Sequence, residues 1–261
     1  MDLIIQPTNA TFPSNRQTPP KLYRDRNPQQ SPQITEPLPP ALSRPLAKPI
    51  KIDKLQAYLE GYPPRSRQYL IEGFHFGFSI DYVGHRSNFV SKNLLSASTN
   101  PKAVDEKLAK EIQLGRIVGP FDGQPFPVFH VSPLGLIPKK VPGEFRLIHH
   151  LSFPEGKSIN SHIPQIASSV HYANIDDAIR LIRRTGRGCA LAKTDIKNAF
   201  RPIPVSPSDY SLLGICWRDR FYVDRILLWG FPVLAKYFSV SVPVWSGLLA
   251  LGYIYPAYYI C

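Results

Sequence analysis

Asn174-Ile-Asp-Asp-Ala-Ile-Arg-Leu-Ile-Arg-Arg-Thr-Gly-Arg-Gly-Cys-Ala-Leu-Ala-Lys-Thr-Asp-Ile-Lys-Asn-Ala-Phe200 reads as a helix, a tight glycine turn, a strand and a carboxylate. Asn174 is a good N-cap with Asp177 three residues on, and Ile175, Ala178, Ile179 and Ile182 form an apolar stripe at helical spacing. Gly186 and Gly188 close that helix and feed a strand over 189–196, which leaves Asp195 near the strand's carboxyl end. The order is that of an α/β arrangement. Alternation puts Leu191, Lys193 and Asp195 on one face of the strand. Two readings of Asp195 stand: it pairs with Lys193, or it holds a divalent metal against a nucleotide. Metal-assisted phosphoryl transfer needs further carboxylates beside the first, and nothing acidic follows Asp224. Phe200, just past Asp195, would form a floor under an incoming sugar. On the helix itself, Arg180, Arg183 and Arg184, with Arg187 just beyond, fit either a solvated basic face or a phosphate-contacting one.

A second informative stretch is Leu136-Ile-Pro-Lys-Lys-Val-Pro-Gly-Glu-Phe-Arg-Leu-Ile148, two β-rich apolar runs around Pro142-Gly143. Pro followed by Gly supplies the central residues of a type II turn, so a hairpin is predicted. A two-residue loop between Val141 and Glu144 sets Lys139 opposite Arg146; a slip by one gives that role to Lys140. Either way a lysine lies near Arg146. Adjacent cations repel unless a polyanion fills the gap, and a nucleoside triphosphate is a compact one, gripped by a Lys point charge and an Arg fork. The plain alternative is that both side chains extend into water.

Around these stretches the chain is basic: 31 Lys and Arg against 19 Asp and Glu give a net charge of +12 in 261 residues. That balance favours polyanions, nucleic acid or anionic lipid alike. A hydrophobic content of 43% supports a real core. Residues 1–50 are crowded with proline among Gln, Ser, Thr and Asn, and are expected to be a disordered, partly polyproline arm. Residues 51–114 form an N-terminal helical region: Leu55, Tyr58 and Leu59 repeat at helical spacing, and Asn100-Pro101 opens a clearer helix with Val104, Leu108 and Ile112 on one side, ended by Gly115. Phe74, Phe76 and Phe78, interleaved with Gly73 and Gly77, suit a short strand or a packed loop. Residues 237–261 carry no charge, yet Ser, Gly and Pro interrupt them, so a membrane helix is disfavoured.

Several chemistries find no support. Cys189, Cys216 and Cys261 are too scattered for a disulfide framework or a zinc knuckle. His149 and His150 are adjacent and face opposite sides of a strand, so they do not share a metal. There is no G-x-x-x-x-G-K phosphate loop and no Gly-x-Ser-x-Gly elbow. The first residues lack a basic and apolar leader, so secretion is not expected and an intracellular home, cytoplasmic or nuclear, is.

Over 55–224 the chain resembles the reverse transcriptase of DIRS-type retrotransposons, the class that integrates with a tyrosine recombinase. The likeness runs through Tyr69-Leu-Ile-Glu-Gly-Phe-His-Phe-Gly-Phe78, Gly115-Arg-Ile-Val-Gly-Pro-Phe121, Ser132-Pro-Leu-Gly-Leu-Ile-Pro-Lys-Lys140, Phe145-Arg-Leu-Ile-His149, Ser158-Ile-Asn-Ser-His-Ile-Pro164 and the run 191–207. The resemblance implies an α+β, partial right-hand polymerase fold, with fingers and the first part of the palm in 115–236, ahead of the uncharged apolar tail that composition marks in 237–261. It implies Lys139 or Lys140 and Arg146 on the triphosphate, Asp195 as the palm's first metal carboxylate, Ile196 offering its backbone carbonyl to metal, and Phe200 as the sugar gate. Magnesium, an RNA template, a DNA primer and deoxynucleoside triphosphates would be the cofactor and partners. The sequence departs from the family at His150, where an aspartate is usual, and around Leu227-Leu-Trp-Gly-Phe-Pro232. Its Tyr-x-Asp-Asp turn, which brings the remaining catalytic carboxylates, has no counterpart in these 261 residues. The expectation is a truncated polymerase, inactive alone. The alternatives are a non-catalytic nucleic-acid or nucleotide-binding protein and, more distantly, a tail-anchored membrane protein.

Overall fold

The computed structural model describes residues 37–44, 46, 50–164, 174–188 and 201–227. The predicted strand over 189–196, Asp195, Ile196 and Phe200, and the tail 237–261, lie outside the described residues. Within them the fold is mixed α/β. Four helices come first, α1 (Ile52–Tyr58), α2 (Pro64–Phe76), α3 (Leu95–Thr99) and α4 (Pro101–Gln113), with the short strand β1 (Phe89–Val90) between α2 and α3. Strands β2 (Ile117–Phe121), β3 (His130–Val131), β4 (Leu134–Pro138) and β5 (Phe145–His149) follow, then α5 (Ile175–Thr185), β6 (Gly214–Trp217) and β7 (Arg220–Asp224).

Five strands form one sheet in the order β1-β3-β6-β7-β2, and β4 pairs with β5 as a separate hairpin. The pairings of β3 with β1 and β6 are parallel, while β7 runs antiparallel to both β6 and β2. β2 is an edge strand with a register shift between Val118 and Phe121, and Pro120, which has no N–H to give a ladder, sits in that shift. Strand alternation sorts side chains into two cores: Ile215, Trp217 and Tyr222 join Val104, Leu108, Leu134 and Leu136 on one side, and Val223 joins Leu55, Leu70, Phe74, Phe78 and Phe129 on the other. The first of these cores lies between the hairpin, α4 and the sheet.

The helices end where their sequences say. Pro101 takes the first turn of α4, and Gly115 (φ +67) closes a Schellman motif, with its N–H on Ile112 O at 2.8 Å and that of Arg116 on Glu111 O at 3.0 Å. Asn174 and Asp177 cap α5 reciprocally, each side chain accepting the other's backbone N–H. The Phe74, Phe76 and Phe78 region departs from the expected short strand or packed loop: Phe74 and Phe76 complete α2, and only Phe78, beyond Gly77, makes a bridge, with Val205. The alternating aromatics are one helical turn read at the wrong period, since Phe74 is buried and Phe76 is exposed. At the end of the proline-rich stretch Leu42 and Ile50 enter the core, and Arg225 donates to Arg44 O at 2.7 Å. No helix among the described residues is long and apolar enough to cross a membrane.

Candidate functional site

The β4–β5 hairpin carries three of the six residues singled out from sequence. Gly143 has φ +78 and Glu144 N–H donates to Val141 O at 3.1 Å, so Pro142-Gly143 does form the type II turn. The register differs from the predicted one. Pro138 pairs with Phe145 and Ile137 with Arg146, and Lys139 N–H donates to Glu144 O at 2.8 Å, which makes a four-residue loop of 140–143. A type II turn does not match the right-handed twist of two strands, so the ladder closes one pair further out. Lys139 therefore faces Glu144 and not Arg146, and Lys140 stands in the loop.

Pairing parity still sets Ile137, Lys139, Glu144 and Arg146 on one face, away from the core that takes Leu134, Leu136, Phe145 and Leu147. Lys139 Nζ meets Glu144 Oε2 at 2.9 Å, and that hydrogen bond together with the lysine's charge holds the Glu144 carboxyl below the usual carboxylate range. The face thus presents Arg146 and Lys139 with one carboxylate between them, at the tip of an otherwise apolar hairpin. Leu94 lies over Gly135 at its base, close enough that a methyl on Gly135 would come within 2.6 Å of it.

The hairpin is tied to the main sheet by polar contacts that sequence reading missed. His150 N–H donates to Pro133 O at 2.8 Å, and His149 Nε2, which faces the Gly214 carbonyl at 3.0 Å, donates to it. His149 Nδ1 is then an acceptor; it and His130 Nε2 are buried with no hydrogen-bond partner. Burial lowers both histidines, His149 to about 3, with the Arg201, His130 and His150 charges adding to the effect, and His130 to about 4, with His162 adding. Both values lie below the 6.5 of an unfolded histidine, so acid protonates the unfolded chain first. Stability is therefore fully present above about pH 6.5 and is lost as the pH falls toward 4. Urea midpoints measured across that window should decline, and His149→Gln with His130→Gln, which keeps an amide donor and removes the titration, should flatten the decline.

Asp209, Asp219 and Asp224 are the acids that follow Asp195 in the chain, and two of them are already engaged. Asp209 Oδ1 takes a hydrogen bond from Arg86 Nη2 at 2.7 Å and Oδ2 one from Ile80 N–H at 2.9 Å. Asp224 Oδ2 meets Arg201 Nη1 at 2.9 Å, while Arg201 Nη2 holds Glu111. Burial raises the Asp224 carboxyl above its ordinary value against the pull of Arg201. For Arg201, burial opposes the charge, but the Asp224 and Glu111 carboxylates outweigh it and raise the guanidinium. Asp219 sits in the two-residue turn between Trp217 and Arg220, at φ +57. Among the described residues no group of three or more His, Cys, Asp or Glu is placed to hold a metal ion.

No protein-family model matches the chain, and no curated protein matches it. Solved structures that it is similar to include the foamy viral protease-reverse transcriptase in complex with dsDNA, at 13% identity and a TM-score of 0.41 over 76% of this chain and 42% of that one. The native protease-reverse transcriptase of Prototype Foamy Virus gives 15% identity and a TM-score of 0.45 over 79% of this chain and 28% of that one. The foamy viral enzyme in complex with RNA/DNA hybrid gives 12% identity and 0.42 over 77% and 27%. The chain spans less than half the length of each, and a likeness this loose carries no functional argument.

Proposed function

We propose that these residues are the fingers and the first part of the palm of a DIRS-type reverse transcriptase, a portion that grips nucleic acid and nucleotide and does not polymerise by itself. The observation that carries this reading is the hairpin: Lys139 and Arg146 share its solvent face, in the motif where the resemblance expects the triphosphate contact. The full family performs nucleotidyl transfer, for which magnesium would neutralise the developing charge. Here Asp195 is the one carboxylate supplied by a matching motif, and Asp209 and Asp224 are tied to Arg86 and Arg201. What the chain's own residues do is bind: an Arg fork and a Lys point charge at the hairpin tip, with Glu144 competing for the lysine.

Primer extension on a homopolymer template with magnesium and nucleotide, comparing the chain with Asp195→Asn, is expected to give no product from either. Product from the parent that Asp195→Asn abolishes overturns the inactivity. Equilibrium binding of a primer and template duplex is expected to weaken with salt. Arg146→Gln lowers affinity several-fold, and Glu144→Gln, which frees Lys139, raises it; an unchanged affinity in both would remove the hairpin from the binding surface.

A further inference from the structure

The end of the proline-rich stretch is folded onto the body of the protein by very few contacts. In residues 37–44, Pro37, Pro39 and Pro40 have no N–H to give, and the hydrogen bonds within the segment are local: Leu42 N–H and Ser43 N–H both donate to Pro39 O, at 2.8 and 3.2 Å. One side chain anchors this turn. Leu42 is 3% exposed and belongs to the core that holds Leu55, Leu59 and Val223, and Leu38 packs against that core while partly open. Among the described residues a single hydrogen bond ties the turn to the rest of the chain, from Arg225 Nη1 to Arg44 O at 2.7 Å.

The donor of that bond is a buried cation without a counter-ion. Arg225 follows β7, is 3% exposed, and spends its other terminal nitrogen on Gly115 O at 2.6 Å, where the end of α4 offers spare carbonyls and a field that favours positive charge. Its Nε is buried with no partner, and no carboxylate pairs with it among the described residues, Asp224 being engaged by Arg201 and the Ile226 N–H. Burial pulls the guanidinium below its ordinary value against the Tyr210 and Asp224 charges. Lifting the turn returns Nη1 to water, which offsets part of the contact that is lost. One leucine and one such bond hold far less than the ladders of the sheet, and segments attached in this way open below the free energy of global unfolding. We propose that residues 38–44 are a latched strap, with Leu42 as its anchor and the Arg225 guanidinium as its latch, that opens as a unit while the sheet and helices stay folded. Because Arg225 grips Arg44 and Gly115 together, the state of the strap is registered at the turn that joins α4 to β2. The strap stands independently of the polymerase reading.

Hydrogen exchange of the full chain in urea below the unfolding transition tests this. The Leu42 and Ser43 amides should exchange at rates nearly independent of urea, because little surface opens with the strap. Ser132 and Asp224, whose N–H groups bond to Gly214 O and Leu213 O, should exchange at least about a hundredfold more slowly and accelerate with urea. Leu42→Ala should speed strap exchange at least about tenfold while Ser132 and Asp224 remain the slow pair, since the body stays folded with the strap open. Arg225→Lys keeps the charge but cannot fork onto two carbonyls, and should speed the strap likewise. If the weakened hold on Gly115 keeps the lysine variant from folding, Leu42→Ala carries the test. Two results overturn the proposal: a common urea dependence for strap and sheet amides, which makes 38–44 part of one cooperative unit, or strap exchange that neither variant changes.

Discussion

Arg201→Met is expected to destabilise the protein by about 3–5 kcal/mol, because it strips the cation from a buried carboxylate and leaves the charge uncompensated. Asp224 is 1% exposed and meets Arg201 at 2.9 Å on one oxygen; the other takes the Ile226 N–H at 3.2 Å. Arg201 also holds Glu111 at the end of α4, so one guanidinium joins the helix to the end of β7. With total stability of a domain at about 5–15 kcal/mol, a loss of that size is a large part of the whole. The loss has a pH signature. Asp224 already titrates above its unfolded value because of burial, and without Arg201 it rises further. A carboxyl whose folded value is raised binds its proton more tightly when folded, so the variant should be least stable at neutral pH and recover as the pH falls. Adding Asp224→Asn should restore most of the stability at neutral pH. Urea unfolding at pH 7 and pH 5 checks both statements, and a cost under about 1 kcal/mol at pH 7 would show that the triad is solvated.

Local chemistry made much of this legible, and distance hid the rest. The proline start and glycine stop of α4, the Asn174 and Asp177 cap of α5 and the Pro142-Gly143 turn are each written within a few residues, and each forms. The hairpin register is not local in that sense: it depends on how the turn's twist fits the strands, and two residues of slippage moved Lys139 from Arg146 to Glu144. Phe74, Phe76 and Phe78 misled because a two-residue period over five positions also occurs at a helix end. Arg201 pairs with residues 23 and 90 positions away, so no spacing rule could find that triad. The same holds for His149 on Gly214, 65 positions apart. Within the candidate site the cationic hairpin face was readable and the lysine's competing partner was not. Asp195, Ile196 and Phe200 lie outside the described residues, so their roles rest on the sequence resemblance.

The chain segment that leads away from that run is held at its far end by a glycine, and Gly77→Ala should cost about 3 kcal/mol or more. Gly77 has φ 99 and ψ 148, a region that L side chains rarely adopt and that costs about 1–3 kcal/mol when forced. Strain alone is not the whole cost. A methyl there would lie 2.4 Å from Val205 O and 2.6 Å from Ser206 N, and both are backbone atoms that no rotamer change can move. The backbones cross this closely because Phe78 N–H donates to Pro204 O and Ser206 N–H to Phe78 O, each at 2.9 Å. Relieving the clash pulls those hydrogen bonds apart and lifts Phe78 out of the core it fills with Leu70 and Phe74. Gly61 is the control: its φ is +82, but nothing lies within 4 Å of an added methyl, so Gly61→Ala carries strain without collision and should cost about 1–2 kcal/mol. Denaturant unfolding of the two variants separates backbone preference from close approach. Equal costs would mean that the crossing at Val205 yields readily, and that residues 201–206 are held by the Arg201 triad and by the hydrogen bonds of Val205 N–H to Arg225 O and of Leu227 N–H to Ile203 O.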